Sequence, residues 1–117
     1  ITYMEGHEKS VTSLLQLRDG RVLSGSEDKK IFVWNVKEKV RIQELEGHKG
    51  PVLSLYQLKQ GNLISGDKYS LIYIWKLDLT EIIQTIIEEG SIIDFFQLKN
   101  YNICSVSSAS EIKIWGW

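Results

Sequence analysis

The feature that most constrains this chain is self-similarity at a spacing of roughly 40 residues, the mark of stacked supersecondary units. The first copy opens at Gly6-His7 and passes Val11, Leu14 and Leu17 to a turn at Asp19-Gly20. It then runs through Ser24-Gly25-Ser26-Glu27-Asp28 to Ile31, Val33 and Trp34. The second brings Gly47-His48, Val52, Leu55, Leu58, Gly61, Ser65-Gly66 and Trp75, and a weaker third brings Ile92, Phe95, Leu98, Ser105, Ile112, Ile114 and Trp115. The units span approximately 6–46, 47–86 and 87–117.

Each unit breaks into short apolar runs rich in β-branched and aromatic residues. In the first these are Val11 to Leu17, Val22 to Gly25, Ile31 to Val36 and Val40 to Leu45, separated by turn compositions such as Arg18-Asp19-Gly20 and Lys37-Glu38-Lys39. The second predicts strands over Val52 to Leu58, Asn62 to Gly66, Leu71 to Leu77 and Ile82 to Ile86. The third predicts Ile92 to Leu98, Asn102 to Val106 and Glu111 to Trp115. Runs such as Leu71-Ile72-Tyr73-Ile74-Trp75 are apolar on both faces, so each such strand needs cover on both sides. The fold class is therefore all-β, with small four-stranded antiparallel sheets stacked on one another.

Gly-His, a strand, Ser-Gly-Ser-x-Asp, and a hydrophobic strand ending in Trp together resemble the WD-repeat family of β-propellers over essentially the whole chain. The resemblance implies that His7, Ser24, Asp28 and Trp34 form a hydrogen-bonded set that holds the first sheet together. It implies the same of His48, Ser65 and Trp75 in the second sheet, and of Ser105 and Trp115 in the third. The copies also drift. Tyr69 stands where the second Asp should fall, with Asp67 two positions early, so that network is expected to be incomplete or rerouted. Ile87-Glu88 replaces Gly-His and Ala109 replaces Asp in the third, which is expected to rely on packing alone. Asn35, Lys76 and Gly116 follow the three tryptophans, so no unit carries a literal Trp-Asp pair.

Ile1 to Met4 align with the last strand of a unit, giving one strand, then four, four and three. Three blades do not close a ring, because propellers typically have four to eight. A three-blade partial propeller within a larger ring is the preferred expectation. The alternative is half of a six-bladed ring closed by a second copy, with Ile1 to Met4 pairing against Glu111 to Trp115.

Composition narrows function. With 14 basic and 15 acidic residues among 117, no general field draws the chain to nucleic acid or an anionic membrane. No apolar run approaches the length of a membrane span. A single cysteine, Cys104, is expected to be a buried reduced thiol, consistent with an intracellular, cytoplasmic setting. His7, Ser24 and Asp28 have the residue types of a hydrolase triad, but His and Ser recur with Trp at the unit spacing, which favours a structural role. No metal site or cofactor is expected, since the histidines lack short-range ligand partners and the Gly-Ser elements lack the Gly-Lys-Ser ending of a phosphate loop. Trp117 falls outside the repeat, as a surface contact or a terminal core residue.

Without chemistry of its own, such a chain acts by recognition. The resemblance implies docking at the entry to the first strand and at the turn before the third. Those positions are Ser10, Thr12 and Glu27; Pro51, Leu53 and Lys68; Ser91, Ile93 and Ser108. Leu53 and Ile93 beside Pro51 form an apolar centre for a protein or peptide, with Glu27 and Lys68 as its rim. The competing expectation buries Leu53 and Ile93 between sheets. A non-catalytic interaction scaffold is the expected function, with self-assembly by ring closure as the alternative.

Overall fold

The computed structural model describes residues 1, 3–76 and 78–116. Among the described residues it contains eleven strands and no helix. The first sheet is β1 (Val11–Gln16), β2 (Val22–Ser26), β3 (Ile31–Asn35) and β4 (Val40–Leu45). The second is β5 (Val52–Gln57), β6 (Leu63–Asp67), β7 (Leu71–Trp75) and β8 (Ile82–Ile87). The third is β9 (Ile92–Gln97), β10 (Ile103–Ser107) and β11 (Ile112–Trp115). Each sheet is an antiparallel meander in chain order, so every blade is assembled from local hairpins.

Stacking decides burial. Leu17, Leu23, Ile31, Val33 and Leu45 of the first blade pack against Val52, Leu55, Leu63, Tyr73 and Trp75 of the second. The other face of the second blade, with Leu58, Ile64, Ile72 and Ile74, packs on Ile92, Phe95 and Ile103 of the third. All of β6 is therefore buried, while its counterpart β10 carries exposed Val106 and β11 exposes Ile112 and Ile114. A doubly apolar strand sequence reflects the two neighbours it is meant to have.

Backbone handedness repeats where residue identity does not. The turn after the first strand holds Gly20 (φ 99°), Gly61 (φ 107°) and Tyr101 (φ 73°), and the next turn holds Lys29 (73°), Ser70 (76°) and Ser110 (68°). The first set closes with N–H bonds to the carbonyls of Leu17, Leu58 and Leu98 at 2.8–2.9 Å. Only a left-handed residue closes this turn, so Tyr101 adopts a conformation that glycine takes more readily.

Two expectations need correction. Ile1, Tyr3 and Met4 lie in no strand, and Ile1 and Tyr3 are exposed. Among the described residues none of the three joins a sheet. Cys104 is half-buried rather than enclosed, since it lies on the uncovered side of the third blade. Strand β7 ends at Trp75, and the expected extension to Leu77, like the readings of Thr2 and Trp117, falls outside the described residues.

Candidate functional site

Each blade is anchored by a relay of side chains. In the first, the Trp34 indole N–H donates to Ser24 Oγ at 2.7 Å, Ser24 meets His7 Nε2 at 2.6 Å, and His7 Nδ1 meets Asp28 Oδ2 at 2.9 Å. A carboxylate only accepts, so His7 Nδ1 donates to Asp28, and in the neutral imidazole Nε2 accepts the serine hydroxyl hydrogen. All donors then point one way, from Trp through Ser and His to Asp, an arrangement in which each bond polarises the next. His7 also stacks on Phe32, ring centres 4.0 Å apart, with the Arg41 guanidinium over the far face.

The second blade has the same relay with its last member moved. Trp75 donates to Ser65 at 2.8 Å, Ser65 meets His48 at 2.6 Å, and His48 Nδ1 meets Asp67 Oδ2 at 2.8 Å. Asp67 stands at the place of Ser26 and does two jobs. In the first blade Ser26 Oγ accepts the N–H of Asp28, and Asp28 Oδ1 accepts that of Lys30. In the second, Asp67 Oδ1 accepts the N–H groups of both Tyr69 and Leu71. The network is rerouted and complete.

The third blade corrects the expectation of packing alone. Trp115 donates to Ser105 at 3.0 Å, and Ser105 donates directly to Glu88 Oε2 at 3.1 Å. Glu88 occupies the histidine position, so the relay loses one link and ends on its carboxylate. Lys113 stands where Phe32 and Tyr73 support the histidines, and its ammonium lies 2.8 Å from Glu88 Oε1. An imidazole on an aromatic ring has become a carboxylate on a cation. The Glu88 side chain is 1% exposed, and a charge so enclosed needs such a partner.

Each relay serine hydroxyl is engaged by its neighbours, and Ser24, Ser65 and Ser105 are buried. Ser24 Oγ lies between Trp34 and His7.

The expected docking residues gather at one end of the blades. Backbone bonds join Glu27 N–H to Ser10 O, Lys68 N–H to Pro51 O and Ser108 N–H to Ser91 O, at 2.9–3.0 Å. Ser91 Oγ also bonds Lys68 O at 3.0 Å, tying the second pair to the third. Thr12, Leu53 and Ile93 share a property that residue types do not disclose: each is the extra residue of a β-bulge. The pairing jumps from Val11↔Ser26 to Ser13↔Gly25, from Val52↔Asp67 to Ser54↔Gly66, and from Ile92↔Ser107 to Asp94↔Val106. A bulge slips the alternation by one and re-aims the residue left over. Val52 thus packs toward the first blade while Ser54 bonds the third, leaving Leu53 on neither packed face. Ile93 is exposed and Leu53 half-buried, so neither lies fully between sheets. Thr12 differs in turning its hydroxyl to Val52 O of the second blade.

A family model described as WD domain, G-beta repeat, matches residues 1–35 and 39–76. The chain belongs to the WD40 family. Solved structures superpose closely. The structure of U3-55K gives a TM-score of 0.87 at 24% identity, covering 96% of this chain and 37% of that one. The WD40 β-propeller domain of Doa1 gives 0.85 at 25% identity, covering 92% and 37%, and the RRP9 WD40 repeats give 0.87 at 24%, covering 96% and 37%. This chain therefore spans little more than a third of each of those structures. No curated protein sequence matches it.

Tyr69, next to Lys68, was not among the expected docking positions. It is exposed, and its ring lies against Gly50, where any side chain would collide with it. Because Asp67 has assumed the carboxylate's work, position 69 is free to carry an aromatic group. The two WD40 carboxylates also set a pH response. Burial opposes the charge on Asp67, but the bonds from His48 and the N–H groups of Leu71 and Tyr69 outweigh it and hold the carboxyl below its usual value. Burial likewise opposes the charge on Asp28, and His7 with the N–H groups of Lys30 and Glu8 prevails. A lowered folded pKa gives stability that is complete above the unfolded value and is lost as pH falls through the folded one. The melting temperature should therefore drop below about pH 4, the ordinary carboxylate range. Thermal melts from pH 6 downward should show a shallower drop for Asp67→Asn. An equal slope in that variant would contradict the assignment.

Proposed function

We propose that this chain is a non-catalytic docking scaffold for a protein or peptide, its contact patch centred on Leu53 and Ile93. WD40 propellers are generally protein-interaction scaffolds. The observation that carries the local reading is the bulge at each first strand, which leaves Leu53 and Ile93 outside both packed faces. Pro51 and Tyr69 extend the apolar ground. Glu27 and Lys68 form the charged rim, and Ser10, Thr12, Ser91 and Ser108 supply hydroxyls. An apolar centre within a polar margin is the usual anatomy of a contact region.

Peptides selected on the wild-type chain from a random displayed library provide a defined probe. Leu53→Asp with Ile93→Asp should weaken their binding by about tenfold or more, while the melting temperature stays close to wild type. Unchanged affinity in a folded double variant would remove the proposal.

A further inference from the structure

Strand β8 pairs with β7 along one side, and no described strand joins its other side. Glu88 N–H donates to Ser70 O at 2.8 Å, and from there the register pairs Ile86 with Ile72 and Gln84 with Ile74. Antiparallel ladders alternate, so Ile86 and Gln84 bond inward while Thr85 and Ile87 turn their N–H and C=O groups outward. That direction lies in the plane of the sheet. Blades stack face to face, so a neighbouring blade does not cover this edge. Thr85 and Ile87 sit opposite Tyr73 and Leu71, on the face packed toward the first blade. Both are exposed with that blade in place.

Sheet edges are normally guarded by charge. Strand β4, the corresponding edge of the first blade, has Arg41 and Glu44 within it. Strand β8 reads Ile-Ile-Gln-Thr-Ile-Ile, without charge, proline or glycine, and its Ile83 and Ile87 are exposed. Charge stands at the two ends instead, where Glu81 and Glu89 are both exposed. Lys76 lies 3.4 Å from Glu81, but that pair is open to solvent and holds weakly. A second copy pairing antiparallel about Thr85 would set Glu81 against Glu89 at both ends. Pairing in parallel register would set each glutamate against itself. Like charges directly opposite are destabilising, so these ends oppose β8 of another copy and favour a strand with cations there.

We propose that β8 is a docking edge for an extended segment of another protein that carries Lys or Arg opposite Glu81 and Glu89. The two cations stand eight positions apart, the separation of the glutamates, with β-branched residues between them. Backbone bonds to Thr85 and Ile87 supply the pairing, and the end charges select the partner. This edge is separate from the patch at Leu53 and Ile93 and does not rest on it.

A fluorescent peptide, Lys-Thr-Val-Thr-Val-Thr-Val-Thr-Lys, is the probe, with its binding to the 117-residue chain followed by anisotropy. The same peptide with Glu at both ends should bind about tenfold or more weakly. Thr85→Pro removes an outward N–H while leaving the bonds to β7, and should weaken the lysine peptide by a similar factor. Should that variant not fold, Glu81→Lys with Glu89→Lys reads the proposal through exposed side chains alone. It should exchange the preference, taking the glutamate peptide more tightly than the lysine one. Leu53→Asp with Ile93→Asp should leave this binding unchanged, which separates the edge from the contact patch. No binding by the wild-type chain, equal affinity for the two peptides, or indifference to a folded Thr85→Pro would overturn the proposal.

Discussion

Asp67→Ala should destabilise the chain by about 3–5 kcal/mol, the usual cost of removing one partner from a buried charged network. The carboxylate is fully buried and accepts from His48 Nδ1 and the N–H groups of Tyr69 and Leu71. Alanine satisfies none of them, and an enclosed donor without an acceptor carries its whole desolvation cost. Because a typical domain has only about 5–15 kcal/mol in total, the urea midpoint should fall steeply. Asp28→Ala removes the same kinds of bond at a slightly less enclosed side chain, 6% exposed against 0% for Asp67. Its cost should be slightly smaller. A loss for Asp67→Ala under about 1 kcal/mol would show that the second relay does not depend on its displaced carboxylate.

The second large effect is steric. Gly66→Val should separate the third blade from the second, because the new Cβ would lie 2.6 Å from Ile92 Cβ and 2.7 Å from Ser54 Oγ. Overpacking a dense interface costs about 1–3 kcal/mol, and a branched side chain against a neighbouring strand belongs at the upper end. The same substitution breaks the Ser54 hydroxyl bond to Ile92 O. Amide exchange should accelerate across β9, β10 and β11, while β2 and β3 in the first blade keep their protection. Uniform acceleration over all three sheets would mean that the blades unfold as one unit.

The architecture was legible because it rests on spacing. A period of roughly 40 residues, turn residues at fixed offsets and doubly apolar third strands suffice to place three stacked sheets. The relays were legible where residue type and position agreed, at His7, Ser24, Asp28 and Trp34, at His48, Ser65 and Trp75, and at Ser105 and Trp115. At Asp67 the type was right and the position shifted by two. Recognising it required knowing that one carboxylate can reach the imidazole from the strand end while also closing the turn. At Glu88 the position was right and the type changed, and its meaning depended on Lys113, whose contact with it is made only in three dimensions. The bulges were invisible, because an extra residue in a strand leaves no compositional trace. Leu53 and Ile93 therefore read equally well as rim or core until the pairing register placed them on neither packed face.

Tyr101 and Ser110 carry a wider implication. Their left-handed backbone matches that of Gly20 and Gly61, and of Lys29 and Ser70, although the family pattern matches only stretches ending at residue 76. Torsion angle here outlasts the alphabet. A distant unit that has exchanged its histidine for glutamate and its glycine for tyrosine can still be found by asking where the chain must coil against its natural hand.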